Sequence, residues 1–123
     1  MNQELPTCGQ AAGVYNVFGY EYNRLIDGDA SDPNYQYPVS FTFNYLTGGF
    51  GWFGASAFDS WDMMKIAGHP SVEEFGVNED TTGRIWMDGY DKYLSSMHRR
   101  VKSYYSLDVT KDENLSVLKH YLN

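Results

Sequence analysis

Apolar residues recur at helical spacing in several stretches of the chain, separated by breaks rich in glycine, proline and aspartate. In the first stretch Ala11, Val14, Phe18 and Leu25 share one face, with Tyr22 beside them. Thr7 stands where an N-cap belongs, and Gln10 follows three residues later, the layout of a capping box. The spacing predicts a helix over 8–26, stopped by Asp27-Gly28. Its small residues Ala11, Ala12 and Gly13 leave room for another backbone to come close.

The region 29–38 is a polar turn segment holding Asp32-Pro33-Asn34. Over 39–46 the apolar residues Val39, Phe41, Phe43 and Tyr45 alternate, which fits a strand or a short helix. A glycine loop with aromatics, 47–54, leads into a second predicted helix over 55–67. Ala57, Phe58, Trp61 and Met64 form its apolar stripe and Gly68 is its stop. Pro70-Ser71-Val72-Glu73-Glu74 carries start signals for a helical turn over 71–75. A loop follows over 79–84. Helical spacing returns over 90–104 through Tyr90, Tyr93, Leu94, Met97, Val101 and Tyr104. The pattern then gives a short strand over 105–109, and a last helix capped by Asp112 and running through Leu115, Leu118 and Leu122. The expected fold class is mainly α, one domain over 1–123 with no repeat and no interior linker.

Composition narrows the function classes. Aromatic residues make up 17% of the chain, and Tyr alone accounts for 11 positions, so large semi-polar side chains are plentiful for core edges and clefts. The net charge of −7 argues against a nucleic-acid partner, which calls for clustered Lys and Arg. The one basic cluster, His98-Arg99-Arg100 with Lys102, reads as a solvated helix face. No apolar run approaches the ~20 residues that span a bilayer, so no membrane partner is expected. The first residues lack the layout of a signal peptide. No cofactor and no metal site is expected: Asp27, Asp29 and Asp32 sit in a turn but lack the full EF-hand pattern. The glycines at 48, 49 and 51 lack the Lys-Ser/Thr that completes a phosphate cradle.

Candidate chemistry centres on Cys8, the sole cysteine. A thiol in the first turn of a helix lies where outward N–H groups and the helix dipole favour an anion, and the thiolate is the nucleophilic form. An amide on the preceding segment, Gln3, is suited to donate to an oxyanion formed at an attacked carbonyl. The residues alone leave a second reading open, a small buried structural thiol.

Asn2-Gln3 followed by Cys8-Gly9-Gln10-Ala11-Ala12-Gly13-Val14-Tyr15 resembles the start of the papain-like cysteine peptidase domain, closest to divergent bacterial secreted members. In that family an Asn-Gln pair precedes a catalytic Cys that opens a long central helix. The similarity continues through Tyr37-Pro38-Val39-Ser40, where the family begins a helix, and through 48–54, where it has a glycine-rich strip that holds the substrate backbone. It extends over the helix 55–68 with the segment 69–75, and over 112–123, where a helix ends the family's first lobe. The resemblance implies the helical left lobe of a papain-like α+β fold, with the second, β lobe absent from the chain. It implies Cys8 as nucleophile, Gln3 as oxyanion donor, and Gly51, Trp52 and Phe53 as substrate contacts. It further implies a peptide or protein substrate, a missing C-terminal lobe as partner, and a secreted or cell-surface parent protein.

The sequence departs from the family pattern in three ways. The usual motif reads C-G-[SA]-C-[WY], and a shifted register puts Ala11, rather than Cys8, in the nucleophile's place. Gln3 is five residues before Cys8 rather than six. The family's His and Asn stand ~130–150 residues after the Cys, past Asn123, so the chain is expected to be inactive alone. The three histidines, His69, His98 and His120, read as surface or cap residues rather than as the general base. A different class of reading is a non-catalytic papain-like or helical binding module that uses the aromatic glycine loop.

Overall fold

A computed structural model describes residues 6–50, 53–76 and 85–122, and these are mainly helical, with no strand among them. The first helix, α1, winds continuously through Cys8–Gln10, Ala11–Phe18 and Gly19–Ile26, and its middle section is a π-helix. Asp27 ends it in the left-handed region at φ 55°, a conformation aspartate tolerates better than most residues. A 3-10 turn, Pro33–Tyr35, is capped by the Asp32 carboxylate, which accepts from the Asn34 N–H. Four further helices and one helical turn complete the described chain: α2 (Val39–Thr47), α3 (Ala57–Ala67), the turn α4 (Val72–Phe75), α5 (Tyr90–Ser96) and α6 (Asp112–Leu122).

The helix α1 lies against α3 and α2, and the small residues on its inner face permit this. A Cβ on Gly13 would lie 2.5 Å from the Ala57 Cβ, so these two backbones meet at a distance only glycine allows. The Trp61 indole N–H donates to the Gly13 carbonyl at 3.0 Å across the same seam. Val14, Phe18, Tyr37 and Met64 form one buried cluster, flanked by Tyr22, Trp61 and Val101. Phe41, Phe75 and Met87 form a second, flanked by Met63 and Ile85.

His69 joins the two clusters. Its fully buried ring lies 5.9 Å from the Phe18 ring and 5.2 Å from that of Phe41, centroid to centroid. It is therefore a core residue, not the surface or cap histidine expected from its place before Pro70. Its Nδ1 is 2.8 Å from the Pro70 carbonyl, and its Nε2 is buried without a hydrogen-bond partner. Burial pushes the imidazole down to about 4, because a charged ring in this aromatic enclosure would lose its hydration.

Of the two readings open for 39–46 the helix is the one found, and several other expected elements are corrected. The alternating segment 39–46 is helical, and both its faces are covered: Val39, Ser40, Phe41, Thr42, Phe43 and Asn44 are all buried. The helix expected over 90–104 stops at Ser96, because tertiary bonds take its next carbonyls. The His69 N–H donates to the carbonyls of Ser96 and Arg99, and Gly68 lies directly on Ser96. No strand forms over 105–109. Instead the Asp108 carboxylate accepts from the Thr110 N–H and hydroxyl just ahead of α6. Asp112 is the first residue of α6 rather than its cap. Leu25, assigned to the buried stripe of α1, is 74% exposed, and no residue of α6 is buried. The loop expected over 79–84 lies outside the described residues.

The basic cluster is also not a uniformly solvated face. Arg99 folds inward, pairs with the Glu74 carboxylate and donates from Nε to the His69 carbonyl at 2.8 Å. The turn α4 opens with a true capping box: the Glu74 N–H donates to Ser71 Oγ, and the Ser71 N–H donates to the Glu74 carboxylate. Burial alone would push the Glu74 carboxyl up. Bonds from Arg99, from the Ser95 hydroxyl and from the Ser71 N–H outweigh it and hold the carboxyl below its ordinary range. No helix among the described residues is long and apolar enough to cross a membrane.

Candidate functional site at the start of the central helix

Cys8 is the first residue of α1, and it is a free, exposed thiol. The helix behind it runs without interruption to Ile26, so the peptide dipoles of several turns point their positive end at this residue. Ala11, the alternative nucleophile position, is half-buried one turn further on. Thr7 is the N-cap by position, yet its hydroxyl makes no capping bond.

The expected partner in that cap, Gln10, turns the other way. It is fully buried, and its amide is the polar centre of the interface between α1, α2 and α3. Nε2 donates to the carbonyls of Ala55 at 3.0 Å and Ser56 at 3.2 Å. Oε1 accepts from the Thr42 hydroxyl at 2.7 Å and from the Ser60 hydroxyl. Every capacity of the amide is used, which is what makes a buried Gln tolerable here. The signal was present in the sequence: Gln10 is four residues before Val14 and three before Gly13, so it shares their inward face.

These bonds fix the backbone of 55–56 beside the first turn of α1. Gly9 brings the two closer still, since a Cβ there would fall 2.7 Å from the Ala55 carbonyl oxygen. Ser56 then starts α3 by accepting from the Phe58 N–H at 3.1 Å. The result is an exposed thiol next to a segment of chain held in place from below.

Of the other expected site residues, Gln3, Gly51 and Trp52 lie outside the described residues. Phe53 is 82% exposed and Phe50 63% exposed, so neither serves as core. No histidine approaches Cys8 among the described contacts: His69 is sealed in the core, and His98 and His120 are exposed on other elements. Asp29 accepts from the Ser31 N–H and hydroxyl, which holds its carboxyl below the ordinary range and shapes the turn. Among the described residues no cluster of His, Cys, Asp or Glu is arranged to hold a metal ion. Compared with protein-family models, curated proteins and solved structures, the chain matches none of them.

Proposed function

We propose that this chain carries the helical lobe of a papain-like cysteine peptidase and that Cys8 is its nucleophile. The observation that carries the reading is the exposed thiol at the first residue of α1. The strip from Phe53 to Ser56, anchored by Gln10, supports it as a place for a substrate backbone to lie alongside the sulfur. The exposure of Cys8 against the half-burial of Ala11 favours the register in which Cys8 attacks.

In the proposed reaction the Cys8 thiolate adds to a peptide carbonyl carbon. The oxyanion is met by the Cys8 N–H and the Gln3 amide. Collapse of the adduct expels the amine, which takes a proton from an imidazolium, and leaves a thioester on Sγ. Water, deprotonated by the same imidazole, then hydrolyses the thioester and releases the acid and the thiol. The imidazole is assigned to a second lobe facing Cys8, since His69 is enclosed.

The test is trapping by a peptidyl epoxide, followed by mass spectrometry. Labelling of Cys8 in the folded two-lobed domain should outpace labelling of the same protein in urea, and Cys8→Ser should abolish it. A folded thiol that reacts no faster than the unfolded one would remove the reading.

A further inference from the structure

A second site lies further along α1, on residues that play no part in the chemistry proposed for Cys8. An open cleft of about 490 Å³ runs between the outer side of α1 and the segment 30–37, a size within the range of small-molecule sites. Its α1 wall is a ladder of residue pairs four apart: Tyr15 and Asn16, Gly19 and Tyr20, Asn23 and Arg24. Residues four apart share one face of a helix, so this ladder lines the cleft from its π-helical section into the α-helical section that follows.

The floor is rigid. The Tyr37 hydroxyl donates to Asn23 Oδ1 at 3.1 Å, and Asn23 Nδ2 donates to the Tyr35 carbonyl at 2.8 Å. Gly28 lets the Tyr35 ring settle against the helix end, where a Cβ would lie 2.8 Å from the ring.

The walls, in contrast, face solvent. Tyr15, Asn16 and Tyr20 are exposed along the cleft, and Tyr35 is half-buried against the helix end. Tyr20 is 67% exposed. Charge is slightly negative: Arg24 is paired with Glu21 at 2.8 Å, and Asp27 adds a further carboxylate at the cleft's end.

We propose that this cleft binds a short neutral saccharide. Exposed tyrosine faces match the C–H faces of a sugar ring. Tyrosine hydroxyls and the Asn16 amide match its hydroxyl groups. An anionic ligand would meet a guanidinium already engaged and an added carboxylate, and a purely apolar one would strand the polar groups of the wall.

Isothermal titration and NMR shift mapping on the folded chain test this, using the neutral trisaccharides of glucose, mannose, galactose and N-acetylglucosamine. At least one should bind and shift the resonances of Asn16 and Tyr20. Tyr20→Ala should weaken it by about tenfold or more, whereas Tyr121→Ala, at a still more exposed tyrosine on α6, should leave it unchanged. Because Tyr20 is exposed, its removal leaves the fold intact, as near-UV circular dichroism will verify. Three outcomes overturn the proposal: no binding of any of the four at roughly 20 mM, binding indifferent to both Tyr20→Ala and Asn16→Ala, or stronger binding of a sulfated sugar or a tripeptide than of all four.

Discussion

Gln10 donates from its side-chain amide to the Ala55 carbonyl at 3.0 Å, a bond that joins positions 45 apart in sequence. The first turn of α1 and the start of α3 are thus joined by one buried polar group. Removing it leaves the Thr42 and Ser60 hydroxyls only their backbone acceptors, the carbonyls of Val39 at 3.3 Å and Ser56 at 3.1 Å, and takes the amide donor from the Ala55 carbonyl. Gln10→Leu, close in size, should cost about 1–2 kcal/mol in urea unfolding, about what one lost buried hydrogen-bond partner costs. It should also raise the hydrogen-exchange rates of the amides near residue 56. An unchanged midpoint would show that the amide is not what ties these helices together.

Much of the helical layout was legible in the sequence, and the parts that were not share a cause. The helix over 8–26, its end at Asp27, the helix ending at Gly68 and the turn at 72–75 followed from local signals, namely periodicity, caps and glycine stops. Thr7 and Gln10 carried a capping pattern too, but the amide gained more from four partners across the interface than from one at the helix end. The helix after Tyr90 failed beyond Ser96 for the same reason: His69 and Arg99, 30 positions apart, claim the carbonyls and the space. Alternation over 39–46 left strand and helix both open because α2 is buried on both faces, which erases the helical period. At the candidate site the exposed thiol was anticipated. The tyrosine cleft was not, although its ladder of pairs four apart was there to be read.

Gly68 has φ 70° and ψ −163°, and a Cβ placed on it would lie 1.8 Å from the Ser96 carbonyl oxygen. Both the backbone conformation and the contact exclude a side chain, and backbone atoms cannot rotate aside. Gly68→Ala should therefore destabilise by about 3 kcal/mol or more. Gly76→Ala is the informative contrast. Gly76 is also left-handed at φ 82°, but nothing lies within 4 Å of its would-be Cβ, so strain alone, about 1–2 kcal/mol, is expected there. Equal losses at the two positions would refute the steric account.

Arg99 and Glu74 retain 16% and 21% of their side-chain exposure, so their pairing is stronger than a surface ion pair and weaker than a sealed one. Arg99→Met removes the partner of Glu74 and the donor to the His69 carbonyl together. A loss of about 2 kcal/mol is expected. Glu74→Gln keeps the shape of the capping box and should cost less, about 1 kcal/mol. A double-mutant cycle measures the coupling directly, and additive losses would show that the two side chains act independently.

The buried imidazole of His69 makes stability depend on pH. In the unfolded chain it titrates near 6.5, and in the folded protein burial holds it near 4. Between those values the unfolded state binds a proton that the folded state refuses. The stability contributed by the neutral ring is therefore complete above pH 6.5 and is lost progressively as pH falls toward 4. The full loss is about 3 kcal/mol, with about 2 kcal/mol gone by pH 5. The charged groups around the ring do not reverse this. Arg99 opposes protonation and Glu74 favours it, and the rings of Phe18, Tyr37 and Phe41 offer no compensating charge. Glu74, whose carboxyl is held down, adds a further loss in the same direction, but only below its ordinary value of 4.5. Urea unfolding at pH 7 and pH 5 separates the two. The native chain should lose stability between these values, and His69→Gln, whatever its stability at pH 7, should lose much less. If the variant keeps the native slope, the acid sensitivity of this core lies elsewhere.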